Sequence, residues 1–223
     1  MAGQVRVNGH PARKASDSIR PTDRVELLAA EKYVSRGGQK LEHALHHFGL
    51  DVQGFTAVDL GASTGGFTDC LLQAGAAQVF AVDVGQGQLA WKLQQDARVV
   101  VMEKTNARHL TAQSFPPPFQ HADLVVIDCS FISLAKILPA ALGLLRPGGR
   151  VVALIKPQFE AGKAEVDQGA GVITDPAVHQ RVIRELQDFV SAIDGARWLG
   201  VTQSSVLGPA GNKEFLALIE KNC

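Results

Sequence analysis

Between residues 55 and 157 the chain alternates two textures. Short apolar runs, FTAVDLG, AQVFAVDV, RVVVME, ADLVVIDCS and RVVALIKP, are separated by GGFTDCLLQAG, QLAWKLQQD and SLAKILPAALGLL, where apolar residues recur at helical spacing. Runs apolar at successive positions read as strands covered on both faces. Strands alternating with helices at this interval predict an α/β fold: a seven-stranded, mostly parallel sheet with helices on both faces once the tail is counted. Upstream, Leu41, Ala44, Leu45 and Phe48 mark one face of a helix, with Ser35 as its N-cap and Gly49 as its stop. Downstream, DPAVHQRVIRELQDFVSAI predicts a long amphipathic helix capped by Asp175, with Pro176 at its first position. ARWLGVTQSSV and KEFLALIEK then read as two strands joined by GPAGN, although LALIEK equally suits the start of a helix.

The first 30 residues have another character. Val5 and Val7 alternate before Asn8-Gly9, a strong hairpin-turn signal, and Val25, Leu27 and Leu28 supply a later strand. So few apolar residues cannot form a core. The expected organisation is therefore a small module over residues 1–30 and one large domain over residues 31–223.

Composition narrows the classes. No apolar run approaches the ~20 residues needed to span a bilayer, and no signal peptide is visible. Cys70, Cys129 and Cys223 form no CxxC pair, so reduced thiols and a cytoplasmic location are expected. No zinc spacing occurs, and no metal is expected. The net charge of zero conceals an asymmetry: residues 1–40 carry eight Lys/Arg against four Asp/Glu. A basic front end of this kind suits a polyanion.

The candidate chemistry starts at VDLGASTGGFT (58–68). A strand ends at Asp59-Leu60, Gly61 and Gly65 allow close backbone approach to a nucleotide-like ligand, and a helix follows Gly66. Asp83 ends the next strand, 22 residues after Gly61, where a carboxylate can take ribose hydroxyls. Dinucleotide binders use GxGxxG because pyrophosphate sits on the helix N-terminus. Here the carboxylate of Asp59 stands beside the turn, which disfavours pyrophosphate and suits a cation. The pattern D-x-G-x-x-x-G resembles the first motif of class I methyltransferases, whose S-adenosylmethionine carries a sulfonium and an ammonium. The third strand leads to Thr105 and Asn106, where an adenine would be held. The fourth strand ends at Asp128 and the fifth at Lys156, before Pro157 forbids the next ladder bond. Lysine and aspartate on neighbouring strand ends can share one cleft. A neutral lysine there would accept a proton from a hydroxyl; a charged one would steady a developing alkoxide.

Taken in order, SRGGQKL, DLGASTGGFTDCLL, VVIDCSFISL, LIKPQFE and GPAGNKEF resemble the TlyA, or hemolysin A, family of RNA 2′-O-methyltransferases, within the wider FtsJ-like group. The resemblance runs over residues 1–222. It implies a Lys–Asp–Lys–Glu tetrad at Lys40, Asp128, Lys156 and Glu214, with Lys156 at the reacting oxygen. It also implies S-adenosylmethionine contacts at Asp59, Gly61, Ser63, Thr64, Gly65, Gly66, Phe67, Asp83, Thr105, Asn106 and Asp128. The implied reaction is methyl transfer to the ribose 2′-oxygen of cytidine in ribosomal RNA, free or in subunits. Transfer to another RNA or a small molecule is the alternative, and the oligomeric state stays open. The family begins with an RNA-binding module like that of ribosomal protein S four; residues 1–30 resemble only its later part. The name hemolysin implies lysis, but the best amphipathic segment, 176–193, mixes Arg181 and Arg184 with Glu185 and Asp188 and reads as a packed surface helix. The glycine-rich segment 160–174 is expected to move over the cleft.

Overall fold

The computed structural model describes residues 5–12, 18–27, 31–208 and 210–222. The chain divides into two units, Met1–Lys32 and Tyr33–Cys223. In the first, β1 (Val5–Val7) lies between β2 (His10–Pro11) and β3 (Val25–Leu27), antiparallel to both. The β1–β2 turn places Asn8 and Gly9 at φ of 51° and 81°, the left-handed pair that an Asn-Gly hairpin supplies. Asn8 ties this turn to the chain ahead of β3, donating to Asp23 Oδ1 and accepting from the Arg24 N–H, each at 2.9 Å. Leu28, expected in the later strand, lies outside the described residues.

The second unit begins with α1 (Gly37–His47) and then builds a seven-stranded sheet. Its parallel strands are β4 (Thr56–Leu60), β5 (Gln78–Val82), β6 (Val99–Met102), β7 (Ala122–Ile127) and β8 (Leu145–Ile155). After these, β9 (Ala196–Gln203) and β10 (Phe215–Lys221) form an antiparallel pair, and β10 pairs antiparallel with β8. The order β6-β5-β4-β7-β8-β10-β9 makes the chain reverse its direction of travel across the sheet between β4 and β7. Ligands of open α/β sheets bind at such a switch point, beyond the carboxyl ends of the strands.

Continuous apolar runs follow from burial on both faces. Val58, Val125 and Ala153 point to one side, against α4 (Leu138–Leu144) and α7 (Pro176–Ser191). Ala57, Leu124 and Val152 point to the other, against α1 and α2 (Gly66–Gln73). Each fully buried aliphatic side chain contributes roughly 1.5–3 kcal/mol. The tail matches its expected caps, since Asp175 accepts from the Ala177 N–H at 2.8 Å at the start of α7. LALIEK is strand.

Three local expectations change. Ser35 is not the cap of α1; Arg36 holds that position without a side-chain cap bond, and Ser35 is held against Gly66 instead. The stretch SLAKILPAALGLL is broken into a 3₁₀ turn at Leu134–Lys136 and the short α4, because Pro139 lacks an N–H and its ring crowds the preceding turn. QLAWKLQQD keeps only one turn, α3 (Trp91–Gln94), because Ala90 is extended at ψ 136°.

Candidate active site

The glycine turn leaves β4 at Gly61, whose φ is +86°. A Cβ there would stand 2.8 Å from the Asp128 carbonyl oxygen, so only glycine lets the ends of β4 and β7 come this close. The Gly61 and Ala62 N–H groups donate to the Val82 carbonyl at 2.9 and 3.0 Å, binding the turn to β5. Asp83, just beyond β5, accepts from the Ser63 N–H at 2.8 Å and the Gly85 N–H at 2.7 Å. Gly65, at φ +95°, precedes α2 and packs against Leu89 and Leu93. A Cβ at Gly66 would lie 2.3 Å from Ser35 Oγ and 2.9 Å from the Gly38 nitrogen, so the starts of α1 and α2 touch. The glycine pair in SRGGQKL serves this contact; at Gly38 a Cβ would strike the Tyr33 ring.

Three cavities meet at the carboxyl edge of the sheet, and Gly61, Ser63 and Asp128 line all of them. One, of about 550 Å³, extends over Asp83, Thr105 and Asn106. Thr105 donates to the Glu103 carbonyl at 2.9 Å and Asn106 accepts from the Arg108 N–H at 3.0 Å, so both are preset by their own backbone. A smaller one, of about 90 Å³, is bounded by Ser35, Gly37, Thr64, Gly66 and Phe67. The third, of about 460 Å³, is lined by Lys40, Asp128, Lys156 and Glu214 together, with Ser130, Gln158 and Asn212. Asp59 and Gly65 line none of the three. Asp59 lies beneath the turn, wholly buried, accepting from the Thr68 hydroxyl at 2.7 Å.

The tetrad residues form two ion pairs. Lys40, on α1, is paired with Glu214, just ahead of β10; they are 6% and 1% exposed. Lys156, at the end of β8, is 2.6 Å from Asp128 Oδ1 and donates to Ser130 Oγ at 2.8 Å. Glu214 Oε1 and Gln158 Oε1 are buried with no hydrogen-bond partner. Burial, with the charges of Asp128 and Asp83 adding to it against the Thr68 hydrogen bond, pushes the Asp59 carboxyl up to about 7. Burial, then Asp128, pushes the Cys129 thiol up to about 12, which removes it as a thiolate nucleophile at neutral pH.

Segment 160–174 borders the third cavity through Gly171, and its carboxyl end is hydrogen-bonded to neighbouring elements. It follows directly on α5 (Pro157–Glu160) and carries α6 (Lys163–Gln168). Asn212 accepts from the Ile173 N–H at 2.8 Å and donates to the Gly171 carbonyl at 2.9 Å. His179, 3% exposed, holds the Ile173 carbonyl at 2.9 Å. Ser130, Gln158 and Asn212 carry no signal in the sequence beyond their position inside the motifs quoted above, and Ser35 carries one only as a helix cap.

Residues 33–221, nearly the whole of the second unit, match the family described as FtsJ-like methyltransferase. The chain belongs to the FtsJ-like methyltransferase family. Among FtsJ-like relatives, YqxC of Bacillus subtilis, a candidate rRNA methyltransferase, is 51% identical over 220 residues, covering 97% of this chain and 76% of the relative. TlyA of Mycobacterium tuberculosis, named a 16S/23S rRNA (cytidine-2′-O)-methyltransferase, is 46% identical over 220 residues, covering 96% and 79%. The crystal structure of a candidate hemolysin from Lactococcus lactis superposes with a TM-score of 0.82 at 48% identity, covering 86% of this chain and 90% of that one. The FtsJ-like fold thus accounts for the seven-stranded sheet. Among the described residues, no group of three or more His, Cys, Asp or Glu side chains is arranged to hold a metal ion.

Proposed function

We propose that this chain methylates the ribose 2′-oxygen of cytidine in ribosomal RNA, using S-adenosylmethionine. The observation that carries the reading is the pair of lysine–carboxylate contacts, Lys40–Glu214 and Lys156–Asp128, facing one cavity that adjoins the glycine turn. Identity of 46% to a protein named a cytidine-2′-O-methyltransferase supports the choice of acceptor.

The residues fit the cofactor. Gly61 and Gly66 leave a cradle that side chains would fill, and the carboxylates of Asp83 and Asp128 line the cavity beside it. A negative, glycine-lined site suits a ligand bearing a sulfonium and an ammonium. Asp83, Thr105 and Asn106 would hold its nucleoside, and Ser63, Thr64, Gly66 and Phe67 its amino-acid end; Asp59 and Gly65 would act from beneath by fixing the turn. When bound, S-adenosylmethionine supplies an activated methyl group for in-line displacement.

The chain's own side chains supply the rest. Asp128 holds the Lys156 ammonium at 2.6 Å, where its N–H can orient the target oxygen and steady the negative charge that develops there while the hydroxyl proton passes to solvent. Lys40, held by Glu214 in the same cavity, would fix the ribose, and positioning of this kind provides much of the rate of a displacement. Residues 1–30 we read as part of a ribosomal-protein-S-four-like RNA-binding module; their three antiparallel strands and the basic charge of the front end support it. Lysis, the other activity that a relative's name implies, finds no free amphipathic face in α7, whose Val182, Ile183, Leu186 and Val190 are already packed in the core.

The test is methyl transfer from radiolabelled S-adenosylmethionine to unmodified ribosomal subunits and to free rRNA, with ribose methylation mapped. Label at a cytidine 2′-oxygen is expected. Cofactor binding without label in either RNA would refute the acceptor.

A further inference from the structure

Lys156 stands where β8 has to stop, because Pro157 has no N–H for the ladder. Its ammonium can donate in three directions. Two are taken: Asp128 Oδ1 at 2.6 Å and Ser130 Oγ at 2.8 Å. Both acceptors come from the segment leaving β7, the strand beside β8. Directly after Ser130, Phe131 takes a φ of +62°, a conformation costly for a bulky side chain. Strain of this kind persists only where the surroundings impose it, and it clusters at functional sites. Here it turns the chain immediately beyond the hydroxyl that reaches Lys156. Ser130 also lines both of the larger cavities, at the boundary where a methyl group and its acceptor have to meet.

We propose that Ser130 is a positioning residue for Lys156, acting with Asp128 to leave one N–H direction aimed at the target oxygen. The inference rests on the reading of Lys156 as the residue that meets that oxygen. A carboxylate alone fixes only one N–H, and the ammonium can still turn about that contact. A second acceptor on the same neighbouring segment removes this freedom. The hydroxyl, unlike a second carboxylate, does so without adding negative charge beside an oxygen that is becoming an anion. Ser130 therefore acts through Lys156 rather than on the substrate.

The experiment compares Ser130→Ala and Ser130→Thr with the unaltered chain. Steady-state methyl transfer to rRNA is measured alongside the rate at which acetic anhydride modifies Lys156, followed by peptide mass spectrometry. Loss of a hydrogen bond to a charged group predicts that Ser130→Ala lowers kcat by about tenfold to a hundredfold. KM for RNA and the affinity for S-adenosylmethionine stay unchanged, and Ser130→Thr, which keeps the hydroxyl, restores most of kcat. Lys156 is acetylated several-fold faster in Ser130→Ala, because a side chain held by one contact fewer turns toward the reagent more often. An unchanged kcat, a loss that falls in KM, or unaltered acetylation of Lys156 would overturn the proposal. Absence of transfer by the unaltered chain would instead defeat the reading of the acceptor. In that case the acetylation comparison still decides whether Ser130 holds Lys156.

Discussion

Replacing Glu214 with alanine leaves the Lys40 ammonium 6% exposed with its carboxylate gone. Breaking a buried pair by removing one partner costs about 3–5 kcal/mol, because the remaining charge is neither solvated nor neutralised. A domain of this size has roughly 5–15 kcal/mol of stability in all. At about 2–4 °C per kcal/mol, the expected fall in Tm is on the order of 6–20 °C. The Lys40→Met/Glu214→Leu double variant removes both charges and fills the space. Its stability should return to near the starting value, since apolar replacements of buried pairs are often neutral or better. Methyl transfer should be lost in both variants. Thermal unfolding followed by circular dichroism, with transfer assays on the same samples, separates the two quantities. Recovery of stability without recovery of activity would mean the pair is kept for function rather than for folding. A Tm change of about 1 °C in Glu214→Ala, the scale of a surface salt bridge, would refute the burial argument.

Other perturbations reach other parts of the site. Asp59 is raised in the folded chain from the ordinary 3.8 to about 7, so its contribution to stability is present below pH 3.8 and is lost as pH rises through 7. Asp59→Asn should flatten that part of a stability–pH profile measured by urea unfolding; an unchanged slope between pH 4 and 7 would remove Asp59 as its cause. Gly61→Ala puts a Cβ 2.8 Å from the Asp128 carbonyl at a φ of +86° and should cost about 2 kcal/mol or more, with weaker S-adenosylmethionine binding by calorimetry. Lys156→Ala should abolish transfer with cofactor binding nearly intact, whereas Asp83→Ala should weaken cofactor binding; equal effects of both on binding would contradict their separate cavities. Cys129, with its thiol pushed up to about 12, should resist iodoacetamide at pH 8, read by mass spectrometry of the intact chain.

The sheet was legible because buried parallel strands leave a signature in the chain itself: apolar runs whose successive residues serve opposite faces. The strand ends were legible for the same reason, since Asp83, Asp128 and Lys156 stand where each run stops. Departures came where tertiary contact overrode a local signal. Ser35 has the chemistry of an N-cap, yet the glycine at position 66 draws it against α2. Segment 160–174 carries no local sign of its tertiary partners, yet Asn212, 39 residues beyond Ile173, bonds to it at Gly171 and Ile173 from another loop. Ser130 is silent in the sequence because a serine beside a strand end carries no periodicity; its meaning lies in a 2.8 Å contact with a residue 26 positions away.

The two halves of the site are not independent, and Gly61 is the reason. Its missing Cβ does more than clear space in the cavities, because it also lets the backbone at Asp128 close to within contact of the β4 end. The Asp128 N–H accordingly donates to the Leu60 carbonyl at 2.9 Å, extending the β4–β7 pairing past the last strand residue. That bond sets where the Asp128 carboxylate emerges, and hence where Lys156 is held. One glycine at the switch point thus shapes the cradle of the turn and sets the position of an acid that shares a cavity with Lys40. Substitution at Gly61 should therefore lower kcat as well as cofactor affinity, whereas a change confined to the far end of the larger cavity, such as Asp83→Ala, should leave kcat at saturating cofactor close to its starting value.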